Sequence, residues 1–342
     1  MSRLLICLLL SGVATVAAAD APRTGTFTVS FSQSTPLADQ HEVAERLGMG
    51  NLSPGASIAP SSETWHVYVP EAYSGSEPYG VLVWVSPSDS GELPHGWQSA
   101  LKGHKLIYVA ADRSGNSQDV VTRRVPLALM GLAGIEADYK IDISRVYVGG
   151  FSGGGVTASH IAAGYADIFA GGLFVSTSHG IGTPDMPVPA LERYRLMQGR
   201  GRYVFTAGSE ETDNQIMTTR AVDAFRALCV LRVDYIHIAN AGHGNLEPGP
   251  LERSLRYLDG PSAVGASESA DCEKQLGERR AATLAAVRQA LVAGDAARAK
   301  ERIGEFRTAF GPLAEPEASR FESCIAAGTA PAACAATDTV AP

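Results

Sequence analysis

The sequence predicts an α/β protein built on a mostly parallel sheet of about eight strands, with helices on both faces and a small helical module at the C-terminus. The main observation is that eight short apolar runs alternate with amphipathic stretches in the first three quarters of the chain. Uninterrupted apolar runs are typical of parallel strands that helices cover on both faces. In chain order the runs occupy residues 26–31, 65–69, 81–85, 106–111, 145–150, 172–176, 203–207 and 233–238.

The segments between the runs indicate how the strands are connected. Apolar residues recur at helical spacing in residues 119–139, which predicts a helix there. The chain around residues 64–86 has no room for a long helix between its strand-like pieces, so we expect the first two runs to lie antiparallel at one edge of the sheet. The short connection before the run at 203–207 leaves no room for a large lid and favours an open cleft.

The composition changes after residue 258, where the predicted α/β domain (residues 20–258) ends. Residues 259–271 are rich in Gly, Pro and Ser and read as a linker. The Ala-rich segment that follows predicts a helical hairpin broken at 293–295, where Gly and Asp are typical of a helix end and a helix start. With a third short helix at 317–326 it forms a helical module over residues 272–327. We expect residues 328–342 to be a loose tail.

Composition and charge exclude several classes of protein. Of the 342 residues, 45% are hydrophobic and 19% are charged, which is typical of a globular chain rather than a disordered one. The net charge is -8 and no block of Lys or Arg stands out, so we expect no nucleic-acid partner. No long apolar run follows the N-terminus, which argues against a multi-span membrane protein. The sequence gives no indication of the oligomeric state.

The N-terminus has the layout of a secretory signal peptide over residues 1–19. Arg3 supplies a positive start, residues 4–16 are apolar, and three alanines at 17–19 form a small-residue cleavage site. We therefore expect a secreted or periplasmic protein without a membrane anchor after cleavage, with an uncleaved N-terminal anchor as the alternative.

Four cysteines remain after removal of this signal, and an oxidising compartment would allow them to form disulfides. The favoured pair is Cys272 with Cys324, which would close the helical module, and the rival pair is Cys324 with Cys334. Cys229 lies in an apolar helical stretch and is expected to be a buried free thiol. No CxxC spacing is present, which argues against a zinc site. We expect neither a metal nor a cofactor.

The most informative motif is Gly-Phe-Ser-Gly-Gly at residues 150–154. An apolar run precedes it and a helical segment follows it, so the G-x-S-x-G pattern lies in the strand–turn–helix context of a nucleophile elbow. Such a turn exposes the central residue at the edge of the sheet. Ser152 is therefore the predicted nucleophile.

A nucleophilic serine needs a histidine base on a later loop at the same edge of the sheet. His243 lies in the turn Asn-Ala-Gly-His-Gly just after the last run and is the predicted base, whereas His237 alternates within that run and reads as a strand residue. The acid that orients the histidine should follow the run at 203–207. Asp213 is favoured there and Glu211 is the alternative.

The oxyanion of the tetrahedral intermediate needs two backbone N–H donors. Gly153 is the expected first donor because it directly follows the nucleophile. The second should come from the loop after residues 81–85, where Pro87 has no N–H. Ser88 is the favoured donor and Ser86 is second.

These motifs, taken in order along residues 24–258, resemble those of secreted α/β-hydrolases related to polyhydroxybutyrate depolymerases and feruloyl esterases. The resemblance rests mainly on the elbow at 150–154 and on the histidine loop at 240–244. It implies an α/β-hydrolase fold with an eight-stranded sheet, serine esterase activity, and the roles given above for Ser152 and His243. One departure is that Ser86 and Pro87 stand where the family has a His-Gly pair. Another is that the acid loop carries neighbouring carboxylates.

The sequence therefore predicts a secreted serine carboxylesterase, similar to the depolymerases, that cleaves exposed ester bonds through an acyl-enzyme on Ser152. Polymeric or bulky esters are among the candidate substrates. The alternatives are a serine peptidase of the same fold and a non-catalytic binding protein on a hydrolase scaffold.

Overall fold

One eight-stranded sheet organises the protein, as the computed structural model shows for residues 21–335 except 51, 52, 54 and 262. The predicted signal peptide at 1–19 lies outside these described residues. The strands are β1 (Gly25–Val29), β2 (Trp65–Val69), β3 (Tyr79–Val85), β4 (Leu106–Ala111), β5 (Ile141–Phe151), β6 (Gly171–Val175), β7 (Arg202–Gly208) and β8 (Val233–Ile238).

The strand order across the sheet is β1-β2-β4-β3-β5-β6-β7-β8. Strand β1 pairs antiparallel with β2, and β2 pairs antiparallel with β4, whereas all the other pairs are parallel. The predicted antiparallel edge and the predicted α/β-hydrolase fold are both confirmed. Because β3 to β8 run in one direction, the loops that follow them all meet at one edge of the sheet.

Helices cover both faces of the sheet, and none in the described part of the chain is long and apolar enough to cross a membrane. They are α1 (Gln40–Leu47), α2 (Gln98–Gly103), α3 (Val125–Asp138), α4 (Gly153–Gly164), α5 (Leu191–Gly199), α6 (Thr212–Ala227), α7 (Pro248–Leu258), α8 (Ala266–Val292), α9 (Ala296–Phe310), α10 (Glu317–Ala326) and α11 (Pro331–Ala335).

The helix predicted at 119–139 is divided in two in the structure. A π-helical turn at Val120–Arg124 precedes α3, and Pro126 lies in the first turn of α3. Proline is favoured at the start of a helix because its missing N–H would have no acceptor there. The division places Arg124 at the junction, close to the loops that follow β3, β4 and β5.

The apolar core lies in two layers, one on each face of the sheet, and β3 shows how the sequence builds both. Val81, Val83 and Val85 belong to the larger layer, which includes residues of α1, α3, α4 and α6. Leu82 and Trp84 belong to the smaller layer, which includes residues of α2 and α7. Successive side chains of a strand point to opposite faces, so an uninterrupted apolar run is what a strand covered on both faces requires.

The C-terminal helices confirm the hairpin and correct its limits. Helices α8 and α9 form the predicted hairpin, and α10 has the predicted bounds of 317–326. Helix α8 starts at Ala266, so residues 266–271 of the predicted linker are helical. The segment expected to be a loose tail contains α11, in which Cys334 is buried. The rest of that predicted tail, residues 336–342, lies outside the described residues.

The disulfide prediction of Cys272 with Cys324 is wrong. Cys272 bonds to Cys229, which is therefore not a free thiol, and Cys324 bonds to Cys334, the pair that the sequence ranked second. The reason is helix length. Helix α8 has 27 residues and α9 has 15, so the returning helix ends well short of the level of Cys272. Cys272 instead lies beside the end of α6, and its bond ties the helical module to the α/β domain.

His160 is a buried titratable group on the helix that follows the elbow. Its side chain is 4% exposed, and its Nε2 lies 3.1 Å from His179 Nδ1. Burial, together with the neighbouring His179, lowers the pKa of His160 to about 4, although Asp185 acts in the opposite direction. The folded protein therefore holds this imidazole neutral.

We predict that His160 makes the protein less stable as the pH falls from 6.5 towards 4. In that window the unfolded chain binds a proton at residue 160 and the folded chain does not, so acid favours unfolding. A pKa lowered from 6.5 to about 4 corresponds to about 3 kcal/mol. Urea unfolding at pH 7 and pH 4.5 should show a smaller loss of stability for His160→Gln than for the wild type. Parallel losses in the two proteins would contradict the prediction.

We also predict that the two disulfides contribute unequally to stability. The Cys229–Cys272 bond spans 43 residues and the Cys324–Cys334 bond spans 10. Loop-closure entropy gives about 4 kcal/mol for the first and about 3 kcal/mol for the second. Urea unfolding of the two double Cys→Ser variants should show the larger loss for Cys229 and Cys272, with each variant serving as the control for the other. A larger loss of stability for the Cys324 and Cys334 variant would contradict this prediction.

Candidate active site

Ser152 lies at the turn between β5 and α4, where the backbone is forced into an unusual conformation. Its φ is 55° and its ψ is −128°, a region that non-glycine residues rarely occupy. Its backbone N–H donates to Val175 O at 2.9 Å, which ties the turn to the end of β6. This is the strained strand–turn–helix geometry that the G-x-S-x-G pattern predicts.

The glycines on either side of Ser152 allow three backbone segments to meet. A Cβ on Gly150 would lie 2.2 Å from Gly154 O, and a Cβ on Gly154 would lie 2.0 Å from Val85 O. Both distances are far below a van der Waals contact. Any side chain at these positions would therefore separate β5, α4 and the end of β3.

His243 contacts the serine from the loop that follows β8. Its Nε2 lies 2.9 Å from Ser152 Oγ, and its ring centre lies 4.7 Å from that of Phe151. The side chain of His243 is 47% exposed, so this hydrogen-bonded pair opens onto solvent. His237 is a residue of β8, as predicted; it is exposed and lies opposite Ala207 of the neighbouring strand β7.

The carboxylate beside His243 belongs to Glu211 and not to Asp213, the acid that the sequence analysis favoured. Glu211 Oε1 lies 2.5 Å from His243 Nδ1. Glu211 immediately precedes α6, whereas Asp213 is in the first turn of that helix and is exposed. Residues two apart at a helix start point in different directions, so only one of these two carboxylates can face the histidine.

Glu211 is buried, and its other hydrogen bonds hold it in the charged form. Its Oε2 accepts from the Gly208 N–H at 2.8 Å and from Ser176 Oγ at 3.0 Å, and its Oε1 accepts from Asn214 Nδ2 at 2.9 Å. Burial acts to raise the pKa of this carboxyl, but the hydrogen bonds from His243, Gly208, Asn214 and Ser176 outweigh it and lower the pKa. The result is a fixed negative charge next to the imidazole.

The two predicted oxyanion donors are in different situations. Gly153 is the first residue of α4, and amides in the first turn of a helix have no acceptor within that helix. The Ser88 N–H donates to Ser86 Oγ at 3.2 Å, so it is directed within its own loop. The Asn116 carboxamide, which the sequence analysis did not assign, lies directly over Gly153, where a Cβ would be 2.2 Å from its Oδ1.

Sequence reasoning also missed Arg124 and Ser176. Arg124 is buried and donates to backbone carbonyls around the elbow, and Ser176 donates to Glu211. The sequence signal for Arg124 would have been an arginine directly before a long apolar helix. Among the described residues, no three His, Cys, Asp or Glu side chains converge as metal ligands would.

No protein-family model matches the sequence, and no curated protein is significantly similar to it. Solved structures that are similar include a ferulic acid esterase at 13% identity, which covers 68% of this chain and 98% of its own with a TM-score of 0.46. An S-formylglutathione hydrolase from Staphylococcus aureus is 13% identical, and the match covers 70% of this chain and 99% of the hydrolase, with a TM-score of 0.45. A poly(3-hydroxybutyrate) depolymerase from Bordetella parapertussis is 17% identical, and the match covers 61% of this chain and 88% of the depolymerase, with a TM-score of 0.41.

We predict that Glu211→Gln and Asp213→Asn will have very different effects on hydrolysis of an activated ester. Glutamine keeps the shape of Glu211 but removes the charge that faces His243, so kcat should fall by about 10³–10⁴-fold. Asp213→Asn is the matched control and should change kcat by less than about threefold. The measurement is steady-state kinetics on p-nitrophenyl acetate. Equal, mild losses in both variants would show that neither carboxylate orients the histidine.

Proposed function

We propose that this protein is a secreted serine carboxylesterase that hydrolyses exposed ester bonds through an acyl-enzyme on Ser152. The observation that carries the proposal is the hydrogen-bonded row from Glu211 through His243 to Ser152, set on a strained strand–turn–helix. The acid is Glu211, and the order serine, acid, histidine along the chain is that of α/β-hydrolases.

In the proposed first step, His243 Nε2 takes the proton of Ser152 Oγ as that oxygen attacks the ester carbonyl. The 2.9 Å separation of these two atoms is suitable for direct proton transfer. The imidazolium that forms is stabilised by the charged Glu211 at Nδ1. His243 then gives the proton to the departing alcohol, and the acyl group remains on Ser152.

In the second step a water molecule gives a proton to His243 and attacks the acyl carbon. His243 then gives that proton to Ser152 Oγ as the bond to the acyl group breaks, which releases the acid and restores Ser152. Both tetrahedral intermediates carry negative charge on the former carbonyl oxygen. The Gly153 N–H at the positive end of α4 is the proposed first donor to this oxygen. For the second donor we propose the Asn116 Nδ2 group, which would lie 2.9 Å from a Cβ on Gly153, in place of the Ser88 N–H, which already bonds to Ser86 Oγ.

Substrates with bulk on both sides of the ester are consistent with the surroundings of Ser152. Nearly half of the His243 side chain is exposed, and the segment between β6 and β7 contains α5 and irregular loops rather than a large lid. A polymeric or bulky ester could therefore approach the serine from solvent. Support for secretion comes from the signal-like residues 1–19 and from the two disulfides.

We predict that Ser152→Ala will abolish ester hydrolysis without unfolding the protein. The hydroxyl that is removed takes part in the reaction and not in the apolar core, so kcat/KM should fall by at least about 10³-fold. A fluorophosphonate probe should label the wild type and not the variant, and circular dichroism should show the same fold in both. Activity of Ser152→Ala within tenfold of the wild type would disprove the proposed mechanism.

The substrate class is tested with a panel of p-nitrophenyl esters of increasing acyl length, alongside feruloyl esters, a polyester film and a peptide amide. Hydrolysis of esters but not of the amide is the expected result. Preferential cleavage of the peptide amide would instead support the serine-peptidase alternative.

A further inference from the structure

Arg124 is a buried cation at the end of the π-helical turn, and its side chain connects three loops around Ser152. The residue is 4% exposed. Its Nε donates to Ser114 O at 2.9 Å, and its two terminal nitrogens donate to Gly153 O at 3.2 Å and to Ser86 O at 3.0 Å. Ser86 directly follows β3, Ser114 lies just beyond β4, and Gly153 begins α4. One guanidinium thus joins the ends of three adjacent parallel strands.

This guanidinium has no carboxylate within ion-pair distance among the described residues. The charge of Asp89, whose Oδ1 accepts a hydrogen bond from the Gly115 N–H, raises the pKa of Arg124 against the effect of burial. Burial lowers the pKa of Arg124 to about 10, so the side chain still carries its charge at neutral pH. The neighbouring Arg123 differs, because it pairs with the buried carboxylate of Glu63 at 2.8 Å.

Burying a cation without a paired anion costs free energy. Hydrogen bonds to carbonyl oxygens recover part of this cost, but an apolar side chain of similar volume would avoid most of it. A charge of this kind beside a strained nucleophile is therefore a candidate for a functional role.

We propose that Arg124 is a positioning residue for ester hydrolysis, which holds the backbone of Ser86 and Gly153 around the oxyanion position and places a fixed positive charge behind it. The inference rests on the proposed function of Ser152. Arg124 is not part of the hydrogen-bonded row Glu211–His243–Ser152 and does not touch the substrate, so its proposed role is indirect.

The physical argument is that oxyanion stabilisation requires donors that are already oriented before the reaction. The bond to Gly153 O fixes the Gly153–Gly154 peptide, which directly follows the donor N–H of Gly153, and the bond to Ser86 O fixes the facing end of β3. The positive charge also favours the tetrahedral intermediate, because the ground-state ester carries no charge on its carbonyl oxygen. Loss of Arg124 should therefore lower kcat and leave KM nearly unchanged.

The experiment compares Arg124→Gln and Arg124→Lys with the matched controls Arg123→Gln and Arg123→Lys. Each variant is titrated with a fluorophosphonate so that kcat refers to reactive sites only, and its rate constant of phosphonylation is also measured. We expect kcat per site and the phosphonylation rate to fall about 10²-fold in Arg124→Gln. Arg124→Lys keeps the charge but cannot bond all three carbonyls, so it should lose about tenfold. Both Arg123 variants should stay within about twofold of the wild type.

A purely structural role predicts something different: fewer reactive sites and a lower melting temperature, with normal kcat per site. That result in Arg124→Gln would overturn the inference. If the glutamine variant does not fold, equal kcat values in Arg124→Lys and Arg123→Lys would overturn it. A wild type that reacts with neither ester nor fluorophosphonate would overturn the proposed function as well. A reactive wild type with equally reactive Arg124 variants would overturn only the role of Arg124.

Discussion

The close approach of three backbone segments at the nucleophile turn is the constraint on which the rest of the site depends. Val85 at the end of β3, the last residues of β5 and the first turn of α4 meet at distances that leave no room for a Cβ at Gly150 or Gly154. This contact forces Ser152 into its strained backbone conformation and directs it towards His243. The same contact sets the first amides of α4 next to the end of β3, so the proposed nucleophile and the proposed oxyanion position are built together.

Electrostatics around this turn are arranged with opposite signs on its two sides. On one side Glu211 is a buried carboxylate that four donors keep charged next to His243. On the other side Arg124 is a buried cation that donates to three backbone carbonyl oxygens. In the proposed reaction a positive imidazolium forms near the carboxylate and a negative oxyanion forms nearer the cation. The folded protein thus holds both charges in place before the reaction begins.

The helical module is attached to the part of the α/β domain that carries Glu211. The Cys229–Cys272 bond joins α8 to the end of α6, and α6 begins directly after Glu211. Residues of α8 and α9 belong to the same apolar layer as Val188, which lies in the segment between β6 and α5. A Cβ on Gly311, at the end of α9, would lie 2.6 Å from Val188 Cβ, so the module packs against the segment between β6 and α5.

Much of the fold and part of the site follow from local sequence patterns. Uninterrupted apolar runs suffice to identify strands that are covered on both faces, and the spacing of Gly150, Ser152 and Gly154 suffices to identify the turn. Whether Glu211 or Asp213 faces His243 depends on the residue at which α6 begins, and no pattern in the acid loop determines that. The disulfide pairing depends on where α8 lies against α6, and the position of Arg124 depends on three strand ends that are distant in sequence. These were decided by the tertiary structure, because each is a contact between segments whose relative placement is set by packing over the whole sheet.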